Sequence, residues 1–129
     1  MATLFTKIID GEIPATFVYE DDHCVAFMDI QPLTDGHLLV VPREEVDHWL
    51  DLDDDLVSHL FTVAKKLGNA QKKAFGCERV GLVVQGFEVP HVHIHVFPTN
   101  QISDFDLANK HDTTAEAREE AASKIKEAL

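Results

Sequence analysis

Residues 91 to 97 read His91-Val92-His93-Ile94-His95-Val96-Phe97. Val and Ile favour the extended chain, and side chains along a strand point to opposite faces with a period of two. A strand here carries His91, His93 and His95 on one face. Val92, Ile94 and Val96 fall on the other and are expected to enter a core. Pro90 and Pro98 bound the run as one short strand.

Three imidazoles on one face admit three readings. A polar sheet face could hold them partly exposed. A His-x-His pair on a strand could supply two zinc ligands. Cα atoms four residues apart on a strand lie roughly 13 Å apart, however, so all three rings do not easily reach one ion. No cysteine or carboxylate cluster stands beside them as an obvious remaining ligand set. The third reading is a catalytic array, because each ring is a candidate base or nucleophile.

The rest of the composition narrows the function classes. A chain of 129 residues with 45% apolar content can build a core, and one domain spanning residues 1–129 is the expectation. The formal charge of −12 disfavours DNA, long RNA and anionic membrane surfaces, since nothing offsets the phosphate repulsion. A small nucleotide in a shielded pocket is still allowed, because backbone N–H groups and protonated histidine can hold its phosphate locally. Cys24 and Cys77 form no metal or disulfide pattern and read as buried thiols. There is no basic N-terminal region followed by a long apolar run, so the expected location is the cytoplasm, with no membrane partner.

Taken in order, Thr3 to Asp10 reads as a short helix with Leu4, Phe5, Ile8 and Ile9 on its apolar face and Gly11 ending it. Phe17–Glu20 and Cys24–Asp29 read as a hairpin closed by Asp21-Asp22-His23. Asp29 has the position of a turn residue or strand-end cap. His37–Val41 is a strand stopped by Pro42, with His37 standing alone before it. The acidic stretch from Glu44 to Asp55 reads as solvated surface plus helix N-terminal charge. His48 and His59 read as surface residues, and Trp49 as part of a short helical turn.

Asp53 to Phe75 is the longest helix, with Leu56, Leu60, Val63, Leu67, Ala70 and Ala74 at spacings of three or four and Gly76 as its C-cap. Val80–Gln85 is a strand, and Gly86–Pro90 the loop into the histidine run. Thr99–Asp106 reads as loop. Thr113 with Glu116 opens a capping box for a final helix striped by Ala117, Ala121, Ile125 and Ala128. No chemistry is assigned to that C-terminal region.

The run from His91 to Phe97 resembles the signature of the histidine-triad (HIT) superfamily, in which three histidines alternate with apolar residues. The resemblance, closest to the bacterial-type branch, covers about Phe5 to Pro98. Phe5 to Ala15 looks like the family's opening segment. Val25 to Pro32 and Gly36 to Pro42 look like its nucleoside-binding strand and its fourth-histidine strand. It implies an α+β fold with an antiparallel sheet of about five strands per subunit, one long helix and short terminal helices. The HIT-like core would span about residues 5–98, with a C-terminal tail and helix over 99–129.

The resemblance also implies an activity. His93 would attack the α-phosphorus of a purine nucleotide, a phosphoramidate or a dinucleoside polyphosphate, and form a nucleotidyl-imidazole intermediate that water or another acceptor resolves to a nucleoside monophosphate. His91 and His95 would hold phosphate oxygens, and His37 would buttress them. Asp29 would bind the ribose hydroxyls, and Phe27 and Ile30 would line the nucleoside slot. Glu88 and Val89 would lie beside the phosphate. No cofactor or metal is required, and a homodimer is expected.

Many bacterial relatives carry two cysteines near the N-terminus that help bind a structural zinc. Thr3 and Thr6 stand at the corresponding positions, so none is expected here. Phe87 and Glu88 also depart from the better-known pattern, which has Gln and then Ser or Thr. A carboxylate beside a phosphate is repulsive unless it is protonated or aimed elsewhere. Glu88 therefore reads as a general acid, a salt-bridge partner or a solvent residue. Phe87 and Glu88 keep open a nucleotide-binding or sensing module with little turnover, and a metal-binding triad protein is a separate alternative.

Overall fold

A computed structural model describes residues 2–129 of the chain. The elements run α1 (Leu4–Ile9), β1 (Phe17–Glu20), β2 (Cys24–Met28), β3 (Leu38–Pro42), α2 (Asp54–Phe75), β4 (Arg79–Val83), β5 (Ile94–Thr99) and α3 (Ala115–Ala128). The strands form one five-stranded sheet in the order β1-β2-β3-β5-β4, with every neighbouring pair antiparallel. This is the expected α+β architecture. No helix among the described residues is long and apolar enough to cross a membrane.

The period-two alternation of the strands sorts their side chains into two separate apolar layers. Cys24, Ala26 and Met28 of β2, Leu38 and Val40 of β3, and Ile94 and Val96 of β5 pack with Leu60, Val63, Ala64 and Leu67 of α2 and with Ala121, Ala122 and Ile125 of α3. The alternate residues Val25, Phe27, Leu39 and Val41 pack instead with Phe5 and Ile8 of α1. The first layer is the main core. The second is thinner, being covered by the six-residue α1 with Ile13, Ala15 and Val89 beside it, and the site opens there.

The helices carry the stop signals read in the sequence. The Asp53 carboxylate accepts from Leu56 N, Asp54 and Asp55 occupy the first turn, and Gly76 ends α2 in the left-handed conformation at φ 61°. Elsewhere the boundaries move. The last helix is capped by Thr114, not Thr113, and Ala117 is exposed, so the buried stripe is Ala121, Ala122 and Ile125. Residues 102–105 form a short 3-10 turn where a loop was expected, and residues 107–109 form another. β4 ends at Val83 rather than Gln85.

His59 is not a free surface residue, since its Nε2 lies 2.6 Å from Asp21 Oδ2 in the β1–β2 turn. His48 accepts from Leu50 N and caps the short turn that contains Trp49. Cys24 and Cys77 are buried free thiols.

The histidine run departs from the expected strand in one respect that matters. Only Ile94 onward is strand, and β5 continues through Pro98 to Thr99. His91, Val92 and His93 are irregular. His91 N donates to Val89 O at 2.8 Å, and Val92 N donates to Val46 O at 2.8 Å. The His91 carbonyl accepts from the ring of His93 at 2.7 Å, which withdraws it from any strand ladder. Pro98 is tolerated because β5 pairs with β3 only as far as Val96, so the missing N–H falls where that side of the strand is unpaired.

Candidate active site

A cleft of about 260 Å³ lies between α1, the second apolar layer and the loop before β5. Across its floor, Phe27 pairs with Leu39 and Leu39 pairs with His95 in the strand register. Phe5 and Ile8 of α1 and Ile13 to Ala15 form one wall. The Phe5 ring meets His93 at 4.9 Å and Phe27 at 5.5 Å between centroids, both edge-on. The lining is mostly apolar, with a few polar groups converging at one end: Asp29, Glu88, His93, His95 and Lys110. That distribution suits a flat aromatic ligand carrying a polar head.

The four histidines are all buried, and their hydrogen bonds assign their tautomers. Leu33 N donates to His37 Nδ1 at 2.9 Å, so the His37 proton sits on Nε2. That Nε2 lies 3.0 Å from His95 Nδ1 and donates to it. The His95 proton is therefore on Nε2, which is buried without a protein partner. His93 Nδ1 donates to the His91 carbonyl, and its Nε2 keeps a free lone pair. His91 Nε2 donates to Pro42 O at 2.8 Å, and its Nδ1 accepts from Thr3 Oγ1 at 2.8 Å.

His93 and His95 thus line the cleft, whereas His91 does not, and both of its ring nitrogens are already engaged. The expectation of one row of three rings fails because residues 91–93 precede the strand and the His91 ring turns to Thr3 and Pro42. His91 reaches the site through its main-chain carbonyl.

The electrostatics follow from burial. Desolvation holds His93 and His91 below the ordinary histidine value, and takes His95 down to about 4 and His37 to about 3. All four rings are neutral at pH 7, so an arriving phosphate finds N–H dipoles and not the protonated histidine that the sequence allowed. The Asp29 carboxyl is raised by burial. Its Oδ1 accepts from Gln31 N at 2.8 Å, as a turn residue does, and its Oδ2 lies 3.5 Å from His37 Nε2. The structural and the ligand-binding readings of Asp29 are compatible, since one oxygen serves each.

Of the remaining predicted site residues, Phe27, Ile30, Glu88 and Val89 all border the cleft, with Ile30 at its mouth and 65% exposed. Phe87 is 94% exposed and borders a separate hollow with Trp49 and His48 that touches the other side of His93. Lys110 was missed. It lies in the segment to which no chemistry was assigned, and it is paired with Glu88. The salt-bridge reading of Glu88 is the one the geometry supports, and Lys110 holds that carboxyl below its ordinary value, mainly by hydrogen bonding.

The N-terminal corner does not fit a zinc ion. Thr3 and Thr6 offer hydroxyls in place of thiolates. His91 Nδ1 receives the Thr3 proton, and the Thr6 hydroxyl donates to Glu45 Oε1 at 2.7 Å. Glu45 Oε1 also accepts from Thr3 N at 2.8 Å, which closes the corner with hydrogen bonds. A second grouping, Asp29, His37 and His95, brings potential ligand atoms within 4.8 Å of one another, but the His37 proton lies between its two imidazoles.

Comparison with known proteins returns the same signature. The HIT domain family matches residues 10–102. An uncharacterised HIT-like protein of Methanocaldococcus jannaschii is 42% identical over 100 residues, which are 74% of this chain and 77% of that protein. The crystal structure of a HIT-like protein involved in cell-cycle regulation from Bartonella henselae, with an unknown ligand, superposes with a TM-score of 0.88 at 35% identity, covering 98% of this chain and 96% of that one. A hypothetical histidine triad nucleotide-binding protein from Sulfolobus tokodaii gives 0.85 at 27% identity, covering 96% and 89%.

Proposed function

The chain belongs to the HIT domain family, and from that premise we propose that it is a nucleotide hydrolase or nucleotidyl transferase that attacks the α-phosphate of a purine nucleotide with His93. The observation that carries this reading is the tautomer of His93. Its Nδ1 proton is fixed on the His91 carbonyl, so the Nε2 lone pair is free and borders an apolar cleft with a carboxylate, Asp29, at its polar end. The Sulfolobus tokodaii relative is described as nucleotide-binding, which agrees with that ligand class.

In this mechanism the base lies between Phe5, Ile8, Phe27 and Ile30, and the ribose hydroxyls donate to Asp29. The Nε2 lone pair of His93 forms a bond to the α-phosphorus as the bond to the leaving group breaks, its electron pair departing with that group. A phosphate leaving group needs no proton. An amine takes one from water at the open mouth. The His93 ring is then an imidazolium, and the His91 carbonyl stabilises its Nδ1–H. His95 Nε2–H, otherwise without a partner, donates to a non-bridging phosphate oxygen, with His37 fixing its orientation through Nδ1.

Water then attacks the phosphorus and loses a proton to solvent. The N–P electron pair returns to Nε2, and the nucleoside monophosphate leaves. His91 contributes through its carbonyl and by positioning, not by direct phosphate contact. We place this activity in a homodimer.

The test is release of AMP from adenosine 5′-phosphoramidate and from a diadenosine polyphosphate, with and without a chelator. Wild-type protein is expected to release AMP in both conditions. His93→Ala is expected to lose at least about a thousandfold in rate. Binding of AMP without release from either substrate would replace the enzyme reading with a nucleotide-binding one.

A further inference from the structure

Lys110 is the one lysine or arginine among the described residues lining the cleft. It stands between β5 and α3, beyond every motif that pointed to the site. Its ammonium is paired with Glu88, which lies three residues before His91, and its side chain is 20% exposed. The segment that carries it is fastened on both sides. Asn109 Nδ2 donates to Ser103 O at 2.7 Å, Gln31 Nε2 donates to Asp112 Oδ1 at 3.2 Å, and His111 N donates to Pro32 O at 3.4 Å. The ammonium is therefore brought to the mouth on a strap anchored to the loop that follows Asp29.

The charge balance of the cleft gives this residue a task. With the histidines neutral, Asp29 and Glu88 are the anions of the site and Lys110 is its only fixed cation among the described residues. A ligand with several phosphates would be repelled by two carboxylates unless Lys110 turned toward it. Its long flexible stem allows that turn. Glu88 is not stranded when it happens, because its Oε1 also accepts from Gln85 Nε2 and its side chain is 45% exposed.

We propose that Lys110 is a specificity-determining residue that exchanges Glu88 for the anionic phosphates beyond the α-phosphate, so that the site selects nucleotides whose leaving group is itself a phosphate chain. Which bond breaks rests on the nucleotidyl-transfer reading above. The ligand preference does not, and it can be read without turnover. Glu88 acts as the resting partner, holding the ammonium over the mouth until a more highly charged anion displaces it.

The experiment compares calorimetric binding of AMP and of α,β-methylene-ADP to wild type, Lys110→Met and Lys110→Arg. Wild type is expected to prefer the diphosphate analogue by about tenfold or more, the worth of one charge-assisted hydrogen bond. Lys110→Met is expected to abolish that preference by weakening the analogue at least about tenfold more than AMP, and Lys110→Arg to retain most of it. In turnover, Lys110→Met should lower kcat/KM for a diadenosine polyphosphate by about tenfold more than for adenosine 5′-phosphoramidate.

An unaltered preference in Lys110→Met, or an equal loss for AMP and the analogue, overturns the proposal. If wild type binds neither ligand, the nucleotide reading fails and this one with it. If the preference depends on Lys110 but no AMP is released from any substrate, the turnover reading fails alone.

Discussion

The Nδ1–H of His93 donates to the His91 carbonyl, the Nε2–H of His91 donates to Pro42 O, and His37 Nδ1 accepts from Leu33 N, so main-chain groups decide where three of the four histidine protons sit. His37 passes that decision on, since its Nε2–H fixes the His95 tautomer and turns the remaining proton toward the ligand. The cost is paid in acid. His37 and His95 titrate at about 3 and about 4 in the folded chain, chiefly because burial disfavours their charged forms, against about 6.5 when unfolded. A depressed histidine stabilises the fold fully above pH 6.5 and loses that contribution as pH falls toward the folded value. Between about pH 6.5 and 4 the unfolding constant should rise by about tenfold per pH unit for each such ring. Urea midpoints at pH 7 and pH 5 test this with His37→Gln. The variant should be less stable at pH 7 but should lose less between the two values, and an unchanged slope would mean that His37 is not held neutral by burial.

Helix α2 supplies more than an apolar stripe to the element packing. Gln71 is fully buried in it, and its Nε2 donates to Gly36 O and to Val96 O, both at 2.9 Å. One side chain thus ties α2 to the loop before β3 and to β5, the two elements that carry His37 and His95. The amide orientation is set by those two carbonyls, which leaves Oε1 without a protein partner. Gln71→Leu keeps much of the volume but strands two buried acceptors, each costing about 1–3 kcal/mol. A loss of about 3 kcal/mol in chemical denaturation is expected. A loss under about 1 kcal/mol would show that the carbonyls find other donors. The apolar pattern of α2 was readable because leucines and valines recur at helical spacing. Gln71 was not, because a glutamine on a helix reads as polar surface until its neighbours are known.

At the scale of the whole molecule, the side at β4 is left open. β4 ends the sheet order, and Phe61 of α2 and Leu82 of β4, 41% and 40% exposed, border a shared hollow beside it. An open strand edge next to exposed apolar side chains invites pairing with another chain. Sedimentation equilibrium is expected to return twice the 14.4 kDa of one chain. Phe61→Glu, which places a charge in that hollow, should shift the protein toward monomer. Sedimentation of wild type as a 14.4 kDa particle at micromolar concentration would remove the dimer from this reading.

The sequence by itself determined the sheet, the long helix with its caps and the chemical class of the site. Alternation of period two and stripes of period three to four are local properties that burial preserves. Asp29, His37, His93 and His95, read from the sequence as one site, come together in the fold, because each sits at or beside a strand whose face is fixed by its apolar neighbours. Tertiary structure decided the rest. His91 left the strand because its ring found Thr3 and Pro42, from segments 88 and 49 residues away. Glu88 acquired a partner, and the cleft a cation, from Lys110, 22 residues further along the chain. Hydrogen bonds and ion pairs between distant segments have no period in a sequence, so their partners emerge only when the chain folds.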